Sequence, residues 1–190
     1  LLAMSTDLDK YCSPNEDNNV TLIIGDKKLR VLKDYLALHS PIFDKIFFDS
    51  FVDKKEIEIK KVVYEQFVDL VELIFSVQAQ ITDSTVSHIM DLADRFMMKQ
   101  VIAQCEIHLI SSTTFALAGK LKLSEQYRLV KLKDHSLNSF YFEHEIITLE
   151  AAPEYSYFSA NLKTAICDLK RKLIIKVKVL DEGMQEVNFR

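Results

Sequence analysis

Cys105 and His108 are the residues whose types and spacing best suit metal ligation. They lie three apart in an apolar pattern typical of a helix, so both side chains would share one helical face. Zinc, however, needs three or four protein ligands at related spacing, and the chain offers no second Cys/His pair. We therefore expect a helical Cys and a nearby His without a metal, and no cofactor of any kind.

The remaining candidate chemistry is nucleophilic catalysis by Ser, His and Asp, all of which are present. None of them stands in a Gly-x-Ser-x-Gly turn, a phosphate-binding loop or a paired-carboxylate setting. His39, His88, His135 and His144 are spread singly along the chain, which predicts isolated residues at the surface or at helix ends. The sequence favours a protein that is not an enzyme.

Composition narrows the class further. The 190 residues carry a net charge of −4, so the chain as a whole has no electrostatic attraction to nucleic acid or membrane. The basic clusters "KKLRVLK" and "LKRKL" lack interleaved aromatics, which favours solvated strand or helix faces. Three widely spaced cysteines predict reduced thiols, as in a cytoplasmic or nuclear protein.

The elements that position these residues begin with three short strands and a helical hairpin. "VTLIIGDKKLRV" alternates around Gly25-Asp26, which predicts a β-hairpin with a two-residue turn, and "EIEIK" predicts a third strand over Glu56 to Lys60. Between them lies "LALHSPIFDKIFF". Ser40 suits a helix N-cap and Pro41 the first helical position, so this stretch predicts one helix ending and a second beginning.

Helical patterns follow from Tyr64 onward, and one of them repeats. "LADRFMMKQVIAQCEIHL" from Leu92 aligns with "LSEQYRLVKLKDHSLNSF" from Leu123 at a period of 31 residues. Repeated helix-turn-helix units allow pairs of helices to stack onto a common core. Two copies are too few for a solenoid, so the second copy is expected to extend the first domain.

These motifs, taken in order, resemble those of the BTB (POZ) family. The resemblance rests on two motifs, Leu-Ala-x-x-Ser-Pro-x-Phe at Leu36 to Phe43 and Leu-Ala-Asp-x-Phe at Leu92 to Phe96. Both lie within a match that runs from about Asn19 to Ile110. The resemblance implies an α/β (α+β) fold with a small, mainly three-stranded sheet capped by helical hairpins, followed by a C-terminal helical extension.

The region after the BTB-like part resembles MATH–BTB type cullin-3 adaptors. Residues 112–142 resemble a three-box or BACK-like helical pair, and residues 143–190 resemble the helical tail of that branch. Residues 1–18 would form an N-terminal segment containing a dimerisation helix. Only 18 residues precede Asn19. A MATH domain is therefore not expected within the chain.

Two positions depart from the family pattern. Asn19 stands where the zinc-finger branch has an aspartate paired with a basic residue, matched here by Lys33. The change removes a charge-assisted hydrogen bond and disfavours a transcription-factor role. The cullin-binding motif, hydrophobic-x-Glu, is matched by Phe51-Val52-Asp53, whose carboxylate side chain is one methylene shorter.

The resemblance also implies two protein interfaces. The dimer interface would use Leu8, Tyr11, Tyr35 and Leu38; the alternative is that Tyr35 and Leu38 belong to the chain's own core. Cullin-3 would bind Phe48, Phe51 and Asp53; the alternative for Phe48 and Phe51 is packing on their own domain.

The sequence thus predicts a homodimeric substrate adaptor of a cullin-3 ubiquitin ligase, with an unidentified protein substrate. The alternative function is a BTB scaffold or oligomerisation protein in a structural or transcriptional complex, without cullin binding.

Overall fold

A computed structural model of the chain describes residues 11–12, 18–49 and 55–188, with side chains as far as 176. Leu8, Phe51 and Asp53 lie outside the described residues. The elements in chain order are β1 (Asn19–Ile24), β2 (Lys27–Leu32), α1 (Lys33–His39), α2 (Pro41–Phe48), β3 (Glu56–Glu58), α3 (Tyr64–Phe75), α4 (Val86–Arg95), α5 (Lys99–Ser111), α6 (Leu117–Gln126), α7 (Val130–Asn138), α8 (Glu143–Glu150), a 3₁₀ turn (Pro153–Tyr157) and α9 (Ala160–Asn188).

The three strands form one sheet in the order β2-β1-β3. β1 and β2 are antiparallel, with Ile24 opposite Lys27, and Gly25 has a φ of +63° in the two-residue turn between them. This confirms the predicted hairpin, in which a residue without a Cβ occupies the left-handed region. β3 lies parallel to β1. The alternate β1 residues Val20, Leu22 and Ile24 are buried and form the core face of the sheet.

The α1–α2 hairpin follows the predicted Ser40-Pro41 junction. The Ser40 hydroxyl accepts a hydrogen bond from the Phe43 amide at 3.2 Å, and Pro41 is the first residue of α2. The same hydroxyl donates to the Phe96 carbonyl at 2.6 Å. Ser40 is fully buried. It therefore joins the hairpin to the C-terminal end of α4 as well as capping α2.

Four phenylalanines pack together beneath this hairpin. The Phe43 ring lies 4.6 Å from Phe96 and 5.5 Å from Phe47, both stacked, and Phe67 meets Phe43 edge-on at 6.1 Å. Centroid separations of this size are the favoured ones for aromatic pairs. α2, α3 and α4 thus share one aromatic core.

The 31-residue repeat is confirmed in backbone detail. Met97 and Arg128, 31 positions apart, have φ values of 55° and 58°. After each, the amide of the next residue returns to the preceding helix, Met98 to the Ala93 carbonyl at 2.7 Å and Leu129 to the Ser124 carbonyl at 2.8 Å. Both helices therefore end in the same left-handed turn.

The chain divides into two compact units, Leu1–His108 and Leu109–Arg190. The second unit has its own apolar core, made by Leu121, Phe140, Ile146, Leu149, Phe158, Leu162 and Ile166. None of the helices in the described ranges combines the length and apolar character that a bilayer crossing requires.

Candidate interaction surfaces

Helix α1 presents two of the predicted dimer residues on its outward side. Leu36 is fully buried, whereas the neighbouring Leu38 is 78% exposed and Tyr35 is 36% exposed. The Tyr35 ring packs 4.8 Å from Phe75, and its hydroxyl donates to the Ile74 carbonyl at 3.3 Å. Leu36 is therefore part of the core and Tyr35 packs against α3, whereas Leu38 leaves apolar surface in solvent.

Tyr11 is the other predicted dimer residue that the structure describes, and it is only 6% exposed. Its carbonyl accepts a hydrogen bond from the Leu32 amide at 3.0 Å, and its ring lies 5.5 Å from Phe75. Tyr11 thus forms a bridge on the outer edge of β2. Phe75, which the sequence patterns did not connect with this surface, brings Tyr11 and Tyr35 together.

Phe48 is the predicted cullin-binding residue within the described ranges. It is the last residue of α2 and is 54% exposed, whereas the adjacent Phe47 is buried at 8% exposure. The two rings meet edge-on, with centroids 6.3 Å apart. Phe48 therefore contacts the buried Phe47 ring and leaves about half of its own side chain exposed to solvent.

Asn19, which replaces the family aspartate, is 7% exposed at the start of β1. Its register partner is Leu32, the residue immediately before Lys33. Asn19 at the start of β1 therefore lies opposite the end of β2, where Lys33 begins α1. A buried amide there supplies no negative charge to pair with the lysine.

Cys105 and His108 do not converge on a common site. Cys105 is fully buried, and burial raises the pKa of its thiol to about 12. The His108 ring instead lies 2.7 Å from an Asp83 carboxylate oxygen. Within the described ranges, no group of three or more His, Cys, Asp or Glu residues could hold a metal ion.

His88 was expected to be isolated, and that expectation is wrong. Its Nε2 lies 2.7 Å from an Asp69 carboxylate oxygen, which links α4 to α3. The two residues are 19 apart on different helices, so no spacing rule on one helix could have paired them. The helical patterns alone left this contact undetected.

In the second unit, two exposed aromatics precede α8. Tyr141 and Phe142 are 70% and 58% exposed, and the amides of both donate to one Glu145 carboxylate oxygen at 2.8 Å. These two hydrogen bonds lower the pKa of the Glu145 carboxyl below its usual value. The carboxylate therefore fixes the backbone that carries both aromatic side chains.

Comparison with known proteins adds to this geometry. The family model for the BTB/POZ domain matches residues 8–113. The BTB and MATH domain-containing proteins 38 and 36 of Caenorhabditis elegans are 31% and 32% identical over 82% and 78% of the chain. The chain spans only 41% and 47% of their lengths. Kelch repeat and BTB domain-containing protein A55 of vaccinia virus is 24% identical over half of the chain and 17% of its own length.

Two solved structures are similar over about half of the chain. The BTB domain of zebrafish PATZ1 covers 49% of this chain and 75% of its own, with a TM-score of 0.43 and 22% identity. The BTB domain of human Gigaxonin covers 54% of this chain and 81% of its own, with a TM-score of 0.42 and 19% identity.

Proposed function

Because the chain belongs to the BTB/POZ domain family, we propose that it acts as a non-catalytic, homodimeric adaptor that recruits cullin-3 to a protein substrate. Related proteins join BTB domains to MATH or Kelch repeat domains. Acting in the cytoplasm or nucleus, the dimer would present two substrates or two ligase arms, so weak contacts gain from effective concentration.

The observation that carries the proposal is the exposure of apolar side chains along the α1–α2 hairpin. Leu38 is 78% exposed and Phe48 is 54% exposed on helices whose inward residues are already buried. Fully burying a Leu or Phe side chain contributes roughly 1.5–3 kcal/mol. In a two-fold dimer each such contact occurs twice.

We assign the dimer contact to Leu38 and Tyr35 directly, and to Leu8 and Tyr11 through the N-terminal segment. Tyr11 has little exposed surface, so we expect its contribution to the dimer to be indirect, through its bridge to β2. Leu38, by contrast, has few contacts to lose within its own chain. It is therefore the residue whose substitution best separates dimerisation from folding.

We assign cullin-3 binding to Phe48, Phe51 and Asp53. Phe48 supports this assignment because its exposed side chain lies at the C-terminal end of α2, three positions before Phe51 in the sequence. In the same proposal, 19–111 is the BTB domain, 112–142 the three-box or BACK-like pair that assists cullin binding, and 143–190 the helical tail.

Light scattering on the full chain tests the dimer. We expect a wild-type mass of two chains, and one chain for Leu38→Asp at the same concentration. Ile107→Asp is the matched control, because Ile107 is similarly exposed, at 65%, on α5; this variant should stay dimeric. A monomeric wild type, or a dimeric Leu38→Asp variant, contradicts the assignment.

The alternative is a BTB scaffold that self-associates or binds a dedicated partner without ubiquitin chemistry. Asp53 favours it, because aspartate reaches one methylene less far than the glutamate of the cullin-binding motif. Binding of the wild-type chain to cullin-3 would favour the adaptor function, because the scaffold function does not involve cullin-3.

A further inference from the structure

Helix α9 is longer than the core against which it packs. Leu162 and Ile166 are buried in the core of the second unit, and Leu169 and Leu173 pack against it, partly buried. Among the side chains of α9 that the structure describes, Leu173 is the last to pack against this core. The helical backbone nevertheless continues to Asn188, a further length of about 22 Å at about 1.5 Å per residue.

The sequence continues the apolar face of α9 through this second half. After Leu173, apolar residues follow at steps of four, three, four and three, at Val177, Leu180, Met184 and Val187. With about 3.6 residues per turn, these positions lie on the helical face that carries Leu162 and Ile166. The steps are those of a coiled-coil heptad, with Val177 and Met184 at a positions and Leu173, Leu180 and Val187 at d positions. Valine at a with leucine at d is typical of two parallel strands.

Gly183 indicates that this half of the helix depends on packing. The backbone stays helical through Gly183, although glycine is among the poorest helix formers. Most of the stability of a helix within a protein comes from packing of its apolar face. We therefore expect the apolar face of the second half to be covered.

The charges beside this face favour a second copy of the chain as its cover. Lys176 stands at the g position before Val177, and Asp181 stands at the e position five residues later. Residues five apart are not neighbours on one helix. In a parallel pair, however, each g position lies beside the following e position of the other helix, so Lys176 and Asp181 of two copies attract each other twice. Lys176 is exposed and has no ion-pair partner among the described residues.

An antiparallel pair would lack this attraction. There g positions meet g positions and e positions meet e positions, so Lys176 would lie beside Gly183 of the second copy. The a position upstream of Leu173 is Lys170, whose ammonium lies 2.8 Å from Glu150 within its own unit. The pairing face therefore begins at Leu173.

We propose that residues 173–187 of α9 form a short parallel coiled coil with the same segment of a second copy of this chain. The proposal rests on the homodimer proposed above, because two heptads are a short coil and pair more readily once α1 holds two chains together. No residue of the α1–α2 hairpin takes part. The coiled coil is a second contact within the dimer.

Sedimentation equilibrium of the full chain tests the apolar face. We expect Leu180→Asp to raise the dissociation constant of the dimer by roughly tenfold or more, because it places a carboxylate in the apolar contact twice. Ile175→Asp is the matched control, since Ile175 is 60% exposed and occupies an f position on the opposite side of α9. This variant should dimerise like the wild type. Amide exchange in the core of the second unit should be unchanged in both variants.

Reversal of one charge tests the orientation without altering the apolar face. Lys176→Asp should weaken the dimer by roughly threefold or more, because attraction becomes repulsion at two symmetric places. The double variant Lys176→Asp with Asp181→Lys should recover the wild-type dissociation constant. A role of either residue in its own helix alone would not produce this recovery.

Disulfide cross-linking tests the register directly. In the full chain carrying Cys12→Ser and Cys167→Ser, Val187→Cys should form a disulfide between two copies in a glutathione redox buffer. Two Val187 positions meet only in a parallel, in-register pair, and lie at opposite ends of an antiparallel one. Glu186→Cys, at the outward c position, should cross-link roughly tenfold less.

The outcomes separate this contact from the α1 dimer. A dimeric wild type in which Val187→Cys cross-links no more than Glu186→Cys, or in which the double charge variant fails to recover, would overturn the coiled coil and leave the α1 contact standing. A dimer that Leu38→Asp leaves intact and Leu180→Asp dissociates would support the coiled coil and contradict the α1 assignment. A wild type that is monomeric at every concentration would overturn both.

Discussion

Replacing Ser40 with alanine should destabilise the first unit strongly, because one hydroxyl serves two helices. It caps α2 through the Phe43 amide and binds the Phe96 carbonyl at the end of α4. Loss of an N-cap typically costs about 1 kcal/mol, and a buried carbonyl left without its donor costs about 1–3 kcal/mol. We expect a loss of roughly 3 kcal/mol in the free energy of unfolding, within the range of these two costs.

Native-state hydrogen exchange is the suitable assay, because it reports each unit separately. A loss of about 3 kcal/mol corresponds to exchange roughly 150-fold faster in the slowest amides of Leu1–His108, while amides of the second unit keep their rates.

Ser136→Ala is the matched control. Ser136 is also fully buried, but its hydroxyl has no hydrogen-bond partner within the described part of the chain. Removing an unpaired buried hydroxyl should leave the second unit unchanged or more stable. Equal effects of the two variants on their own units, or less than tenfold faster exchange in Ser40→Ala, would refute the account of Ser40.

Further predictions concern turns, titration and thiol reactivity. In denaturant titrations, Gly25→Ala should lower the free energy of unfolding by about 1 kcal/mol, because Gly25 has a positive φ. Gly119→Ala on α6 should be neutral or stabilising, because an added Cβ there meets nothing within 4 Å. The Glu145 carboxyl has a lowered pKa in the folded state. Its contribution to folding stability is therefore present above the unfolded pKa and is lost as pH falls through the folded pKa. The difference in melting temperature between wild type and Glu145→Gln should shrink as pH falls below about 4.3, the ordinary glutamate pKa. In peptide mass spectrometry after iodoacetamide treatment at pH 8, the exposed Cys167 should be modified and the buried Cys105 protected until the chain is denatured.

The features that the sequence predicts correctly are those that depend on local geometry. The Gly25 turn, the Ser40-Pro41 junction and the 31-residue repeat all involve contacts within a few residues, so residue type alone indicates them. A turn that needs a positive φ, or a helix that needs a cap, restricts the residue at that position directly.

The features that the sequence did not predict depend on contacts between distant residues. β3 was predicted to reach Lys60 and ends at Glu58, beyond which Arg95 of α4 binds the Lys60 and Lys61 carbonyls. The Ser40–Phe96 bond spans 56 residues. Such contacts follow from how helices pack, which no single segment encodes.

The measurement that tests the central claim most directly is the affinity of the full chain for the purified N-terminal domain of cullin-3, by isothermal titration calorimetry. We predict binding by the wild type, and affinity at least tenfold lower for Phe51→Ala and for Phe48→Ala, since truncating a hot-spot aromatic costs about 2 kcal/mol or more. Tyr157→Ala, which truncates an aromatic that is 75% exposed in the second unit, should bind like the wild type. No binding by the wild type, or binding that is indifferent to both phenylalanine substitutions, would contradict the adaptor function.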